Sequence, residues 1–317
     1  MDNKKIVCLG GGIGTVNLIS GIKDYFKDVT VVVSMADDGG SAGRLRRFYS
    51  VPPPGDLVSC ISALSNADPL MKNLLTYRFA GDRYGSDGSL PGHKFGNLML
   101  VALFALTGSF TTAIREMERI FKISGKILPS TVEDISIWAK TSVGEKVYRE
   151  ENIDLGKFSG KIDQLFLKPS NPKTPEEVKK SISSADVIVA GPGDLYTTVL
   201  PVILIPGILQ SIKASRAKKI FVVNVANKTF ETPSYSIEDY VNAIVKHCGA
   251  VVFDTFLVNN NFETSIPSKY KYQYKFVPKD YSHKEIRYKI LEDDLVDEKF
   301  PLYHSPVKLA KTILANI

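Results

Sequence analysis

Between Ala36 and Asp56 the chain reads ADDGGSAGRLRRFYSVPPPGD. Paired carboxylates, glycines, three arginines and a proline run stand together there, a mixture that no packed core requires. A charged, multi-part ligand does require it. Glycines let backbone N–H groups approach phosphate oxygens that a side chain would hold away. Arginines such as Arg44 offer forked donors to phosphate or carboxylate, and Ser41 adds a hydroxyl. Asp37 and Asp38, followed by Gly39 and Gly40, suit ribose hydroxyls or a divalent cation. A solvated turn would explain the Gly, Asp and Pro, but not the alternation of acid and base around glycines straight after an apolar strand. Asp56, behind three prolines, binds a metal or caps the helix that starts at Leu57.

Two further glycine turns carry the same logic. Gly10, Gly11, Gly12 and Gly14 form GGGIGT with Thr15 and open a helix whose unpaired N–H groups suit a phosphate. Thr15 occupies the third glycine position of the dinucleotide pattern GxGxxG, so that pattern is broken. Asp37 falls at the end of the second strand, where a dinucleotide fold places its ribose-binding acid. The second turn, Gly191, Pro192 and Gly193, precedes Asp194, Tyr196, Thr197 and Thr198, all able to hydrogen-bond a ligand. A glycine-rich stretch, GDRYGSDGSLPGHKFGN, brings His93 and Asn97 to a helix start, and His93 has the chemistry of an acid, base or donor. No Ser-His-Asp order, P-loop, HExxH or kinase signature identifies a nucleophile.

These turns need strands and helices to hold them. Ile6 to Leu9 is a short apolar run, helical periodicity follows through Leu18, Ile22 and Phe26, and VTVVVS from Val29 is the β-branched run of a strand buried on both faces. Helical patterns continue from Leu57 to Phe79 and from Gly96 to Phe121. From about Lys126 to Leu167 short alternating runs predict an inserted antiparallel meander, and Thr174 and Pro175 are predicted as N-cap and first helical residue of the next helix. Strands at Asp186–Ala190, Lys219–Asn224 and Val251–Val258 alternate with helices, and a helix from Pro306 closes the chain. The expectation is one α/β domain over 1–317. Its core is a doubly wound, mainly parallel Rossmann-like sheet, with a β-rich insertion at about 125–168 and a divergent segment at about 260–317.

Composition narrows the partners. A net charge of +6 without a dominant basic run argues against nucleic acid. Cys8, Cys60 and Cys248 are far apart and in apolar contexts, as for reduced thiols. No apolar stretch is long enough to span a bilayer, and the N-terminus enters a strand at once, so a cytoplasmic protein is expected.

The motifs GGGIGT, ADDGGSAGRLRR, PPGD, GHKFGN, the PST of Pro129 to Thr131 and GPGDLYTT stand in the order of the YvcK/CofD-like family, which the chain resembles from about Lys4 to Asn259. That family includes the YvcK gluconeogenesis factors and the 2-phospho-lactate transferase of deazaflavin cofactor synthesis; GHxFGN and PST point to the YvcK branch. The resemblance implies a protein that binds UDP-N-acetylglucosamine and supports cell-wall synthesis and cell shape during gluconeogenic growth. Gly10, Gly11, Gly12, Gly14, Asp37, Asp38, Ser41, Arg44, Asp56, Asn97, Gly191 and Gly193 would line its cleft, and only Asn224, Glu231 and Thr232 are kept from the segment that here reads NVANKTFET. The family's GGGTG reads GGGIG, its RHDP reads YHSP with Tyr303 in place of an arginine, and a ligand-contacting tyrosine falls near Tyr274. A dinucleotide such as NAD fits the same cleft as an alternative ligand. A transferase using Mg2+ held by Asp37, Asp38 or Asp56 is the alternative activity, and a homodimer is left open.

Overall fold

A computed structural model describes residues 2–270, 274–281 and 288–317. Seven parallel strands form the central sheet: β1 (Asp2–Gly10), β2 (Phe26–Val33), β3 (Lys126–Pro129), β7 (Val187–Ala190), β8 (Lys218–Val222), β10 (Thr255–Asn259) and β12 (Lys289–Asp293). Their order across the sheet is β12-β10-β8-β7-β1-β2-β3. The chain therefore builds outward from β1 on one side, then returns to the other side of β1 and builds outward again. Neighbours β1 and β7 leave the sheet in opposite directions, which opens a crevice at their carboxyl ends.

Local sequence dictates the central strands. Val29 and Val31–Val33 of β2 are at most 1% exposed and are paired with β1 on one side and β3 on the other. β-Branched residues fill such a two-faced position well. Helix α1 (Gly12–Ile22) lays Leu18, Ile19 and Ile22 against this layer. Helices α2 (Gly40–Tyr49), α3 (Gly55–Leu64), α4 (Pro69–Thr76), α5 (Phe95–Thr107) and α6 (Phe110–Ile120) follow β2. The three cysteines are buried and free.

Several expectations change. The helical stretch from Leu57 divides at Pro69, where Asp68 caps α4 by accepting from the Met71 N–H at 3.1 Å. The stretch from Gly96 divides at Gly108, whose φ of +66° ends α5. Lys126–Pro129 is not part of the meander; this short apolar run adds to the open edge of β2. The meander is the sheet β5 (Lys146–Tyr148), β4 (Ser136–Thr141), β6 (Ile162–Lys168), and within it Glu150–Asp154 turns as helix α7. Pro175, not Thr174, is the N-cap of its helix, and no side chain caps that end. The tail read as lacking a period supplies β11 (Tyr274–Phe276), paired with β9 (Ala226–Lys228), and the edge strand β12. Parts of that tail, 271–273 and 282–287, lie outside the described residues.

The glycine turns after β1 and β7 are pressed together. A Cβ placed on Gly14 would lie 2.4 Å from the Pro192 carbonyl oxygen and 3.0 Å from the Gly193 nitrogen. Both atoms are main chain, so relief requires moving one turn. Gly14→Ala is expected to cost about 1–3 kcal/mol in urea unfolding; unfolding at the wild-type midpoint would show that the turns do not meet this tightly.

Candidate functional site

A cleft of about 350 Å³ lies at the switch point. Its floor is Gly11, Gly12 and Gly14 from the β1–α1 turn and Pro192, Gly193 and Asp194 after β7. Asp37, Gly39 and Gly40 enter from the loop after β2, and Asp56 from the first turn of α3. Asn224, after β8, accepts the Gly193 N–H at 3.0 Å on its side-chain oxygen and so fixes that turn. Gly11 allows close approach of the carboxylate: a Cβ there would sit 2.3 Å from Asp56 Oδ2. Asp56 does not cap the helix it opens, because Pro54 is the N-cap of α3. It faces the Gly12 N–H instead.

The fold draws other expected ligands away from the cleft. Arg44 is 1% exposed and spends its guanidinium on main chain, donating to the carbonyls of Asp82 (3.1 Å), Pro91 (2.9 Å), Ser86 and Ser89. It staples the 82–91 loop and does not line the cleft. Arg46 and Arg47 bind Asp134 and Asp87. Asp38 turns from Asp37 and accepts from Arg149 Nε at 3.2 Å and from the Glu151 N–H at 3.0 Å, tying the insertion to α2. His93 is buried and its pKa lowered by that burial, so it sits neutral inside the same loop. Tyr196 is buried with its hydroxyl 2.7 Å from that of Tyr235. Gly10 and Gly191 form the strand ends beneath the floor, and Thr15 is buried against Gly10. Ser41 and Asn97 line a neighbouring chamber.

The cleft wall is strongly acidic. Burial, and next the neighbouring Asp56, push the Asp37 carboxyl up to about 7. Burial likewise raises Asp56. Glu150, from α7, is held well above the usual range by burial and then by Asp37. Deeper in, Glu231 accepts from Thr197 Oγ1 and from the Tyr196 N–H, and burial followed by Asp194 raises it to about 8. Asp154, Asp194 and Glu231 bring carboxylate oxygens within 4.8 Å of one another, a spacing that suits a cation. Lys228 already serves them: its ammonium binds Asp154 and Asp194, the latter at 3.1 Å. Burial alone would lower the Lys228 pKa, but Asp194, Glu231 and Asp154 outweigh it and raise it. Arg83 is the cation on the cleft wall that has no carboxylate partner among the described residues. Tyr274, Leu302 and Tyr303 close the far end.

Sequence reading missed Arg83, Glu150 and Asp154, and took Lys228 only as part of the altered far end of the site beside Tyr303. They come from three separate segments, and no spacing links them. Glu231 carried one signal, its retention in the altered NVANKTFET segment.

The family model described as 2-phospho-L-lactate transferase CofD matches residues 6–296. The chain belongs to the CofD/YvcK family. This family member is 39% identical over 271 residues to the gluconeogenesis factor of Halalkalibacterium halodurans, covering 85% of the chain and 82% of that protein. It is 36% identical to the gluconeogenesis factor of Bacillus subtilis over 319 residues, covering 99% and 98%. A crystal structure of a UPF0052-family protein from Bacillus halodurans superposes with a TM-score of 0.90 at 36% identity, covering 99% of both chains. Among the described residues no single helix is long and apolar enough to cross a membrane.

The raised Asp37 pKa sets a pH dependence for this CofD/YvcK family member. The folded state holds the Asp37 proton up to about pH 7, whereas the unfolded state releases it near the ordinary aspartate value of 3.8. The stability from this proton is full below about pH 4 and is lost as pH rises through 7. Asp37→Asn is therefore expected to match wild type near pH 4 and to exceed it by on the order of 2–4 kcal/mol at pH 8. Denaturant unfolding at both pH values checks this, and an equal difference at both contradicts it.

Proposed function

We propose that the cleft binds a nucleotide-sugar of the UDP-N-acetylglucosamine type, and that the protein acts through that binding in cell-wall synthesis and cell shape during gluconeogenic growth. The observation that carries the reading is the pair of glycine turns clamped at the switch point. They put the amino end of α1 and the side-chain-free backbone of Gly11, Gly12, Gly14 and Gly193 along the cleft, where a diphosphate approaches main chain closely. Asp37, at the end of the second strand, suits the ribose hydroxyls. The relatives named as gluconeogenesis factors support the physiological setting.

The far end of the ligand meets aromatic surface. Tyr303 stacks on Phe300 with centroids 5.5 Å apart and planes 14° from parallel, and Tyr274 stands beside it on the cleft wall. Where the family pattern has an arginine, this chain presents a ring, so that end favours packing over charge.

A second reading, transfer of a phosphorus-linked group, is favoured by the paired carboxyls Asp37 and Asp56. They are buried, close enough to raise Asp37, and without a basic partner at ion-pair distance among the described residues. That donor set fits Mg2+, which would neutralise phosphate charge there. In this reading Arg83 and the Gly12 turn orient the phosphates, and burial keeps competing water away. The family model named for a transferase supports it.

Calorimetry separates the two. The full chain is titrated with UDP-N-acetylglucosamine, UDP, GDP and NAD, with Mg2+ and then with chelator. The binding reading expects UDP-N-acetylglucosamine to bind tightest and to be recovered unchanged. The transferase reading expects Mg2+-dependent turnover that Asp56→Asn abolishes. Absence of heat from every uridine nucleotide eliminates the named ligand.

A further inference from the structure

Beside the cleft, and separated from it by Gly12, Asp37 and Asp56, lies a second chamber of about 620 Å³. It shares Asp37 and Asp56 with the cleft but adds basic groups on its other sides. Arg78, Arg83 and Lys94 all line it. None of the three pairs with a carboxylate among the described residues. Arg78 binds Ser41 Oγ at 3.1 Å and the Gly92 carbonyl at 2.6 Å, and Lys94 binds Ser59 Oγ at 3.1 Å. Burial, followed by the charge of Arg83, lowers the Arg78 pKa. Burial, followed by Arg78, lowers that of Lys94. Three cations thus share one space with Asp37 and Asp56 on its wall, none of them at ion-pair distance from either carboxylate.

Backbone adds to the same field. Ser41 and Ala42 open α2, Gly55 opens α3 and Asn97 lies in the first turn of α5; all line the chamber. Three helix amino ends converge there, each carrying partial positive charge. Asn97 supplies a separate observation. It is 1% exposed, and its side-chain oxygen has no hydrogen-bond partner. A buried acceptor left open is destabilising unless something donates to it.

We infer that this chamber is a second binding site, for a small phosphorylated hydroxy compound whose anion sits among Arg78, Arg83 and Lys94 and whose hydroxyl donates to Asn97. The site goes beyond the proposed nucleotide-sugar cleft and does not rest on it. The two share the Asp37–Asp56 wall, so a compound held in the chamber lies next to the carboxyls that border the cleft.

Glycerol 3-phosphate is the probe, titrated calorimetrically into the full chain in chloride buffer. It is expected to bind at least tenfold more tightly than inorganic phosphate. Arg78→Gln and Lys94→Gln should each weaken it by about tenfold or more while leaving UDP-N-acetylglucosamine affinity within twofold. Asn97→Ala should reduce glycerol 3-phosphate to the affinity of inorganic phosphate, with thermal melting used to confirm that the variant folds. If Asn97→Ala does not fold, Lys94→Gln decides. No binding of either probe, or binding that Arg78→Gln and Lys94→Gln leave unchanged, overturns the inference. Binding of glycerol 3-phosphate with none of UDP-N-acetylglucosamine supports the chamber and sinks the nucleotide-sugar reading instead.

Discussion

The contact on which the site depends is the one between two turns that have no room for side chains. β1 and β7 are neighbours, and each ends in a glycine turn at the point where the chain's direction of build reverses. Because Gly14 lies against Pro192 and Gly193, the two turns form one surface of main chain. The same lack of Cβ atoms lets Asp56 approach Gly11 and bond the Gly12 N–H, and leaves main chain rather than side chains along the cleft. Packing and ligand recognition are met by the same glycines, so a substitution made for one is felt by the other.

Charge is then divided by the fold. The arginines that follow the paired aspartates are consumed as scaffold: Arg44 holds the 82–91 loop, and Arg46 and Arg47 bind surface acids. Asp37, Asp56, Glu150, Asp154 and Asp194 remain facing the cleft, with Lys228 bound to the last two. On the other side of Asp37 and Asp56 the chamber gathers unpaired cations. A diphosphate in the cleft would be met by backbone dipoles and Arg83, with the acids positioned for hydroxyls or for a cation.

Much of this was legible in the sequence where chemistry is local. The β-branched run of β2, the glycine turns and the position of Asp37 after the second strand specify a doubly wound sheet and the side on which it binds. Lys126–Pro129 was misplaced because a four-residue run with three apolar residues does not reveal which sheet edge it joins. Five-residue α7 has too little length for a period, yet it delivers Glu150 and Asp154. The roles of Arg44, Asp38 and His93 were not local at all. A charged side chain reads as a ligand until the fold supplies carbonyls or a distant arginine to satisfy it, and those partners lie more than thirty residues away.

The central claim is that a nucleotide-sugar lies with its diphosphate on the joined glycine turns. A crystal structure of the full chain grown with UDP-N-acetylglucosamine tests it most directly. The account predicts diphosphate density against the backbone of Gly11–Gly14 and Gly193, with the ribose toward Asp37 and the far end against Tyr274 and Tyr303. Density for the ligand elsewhere, or a diphosphate held away from both turns, would contradict it.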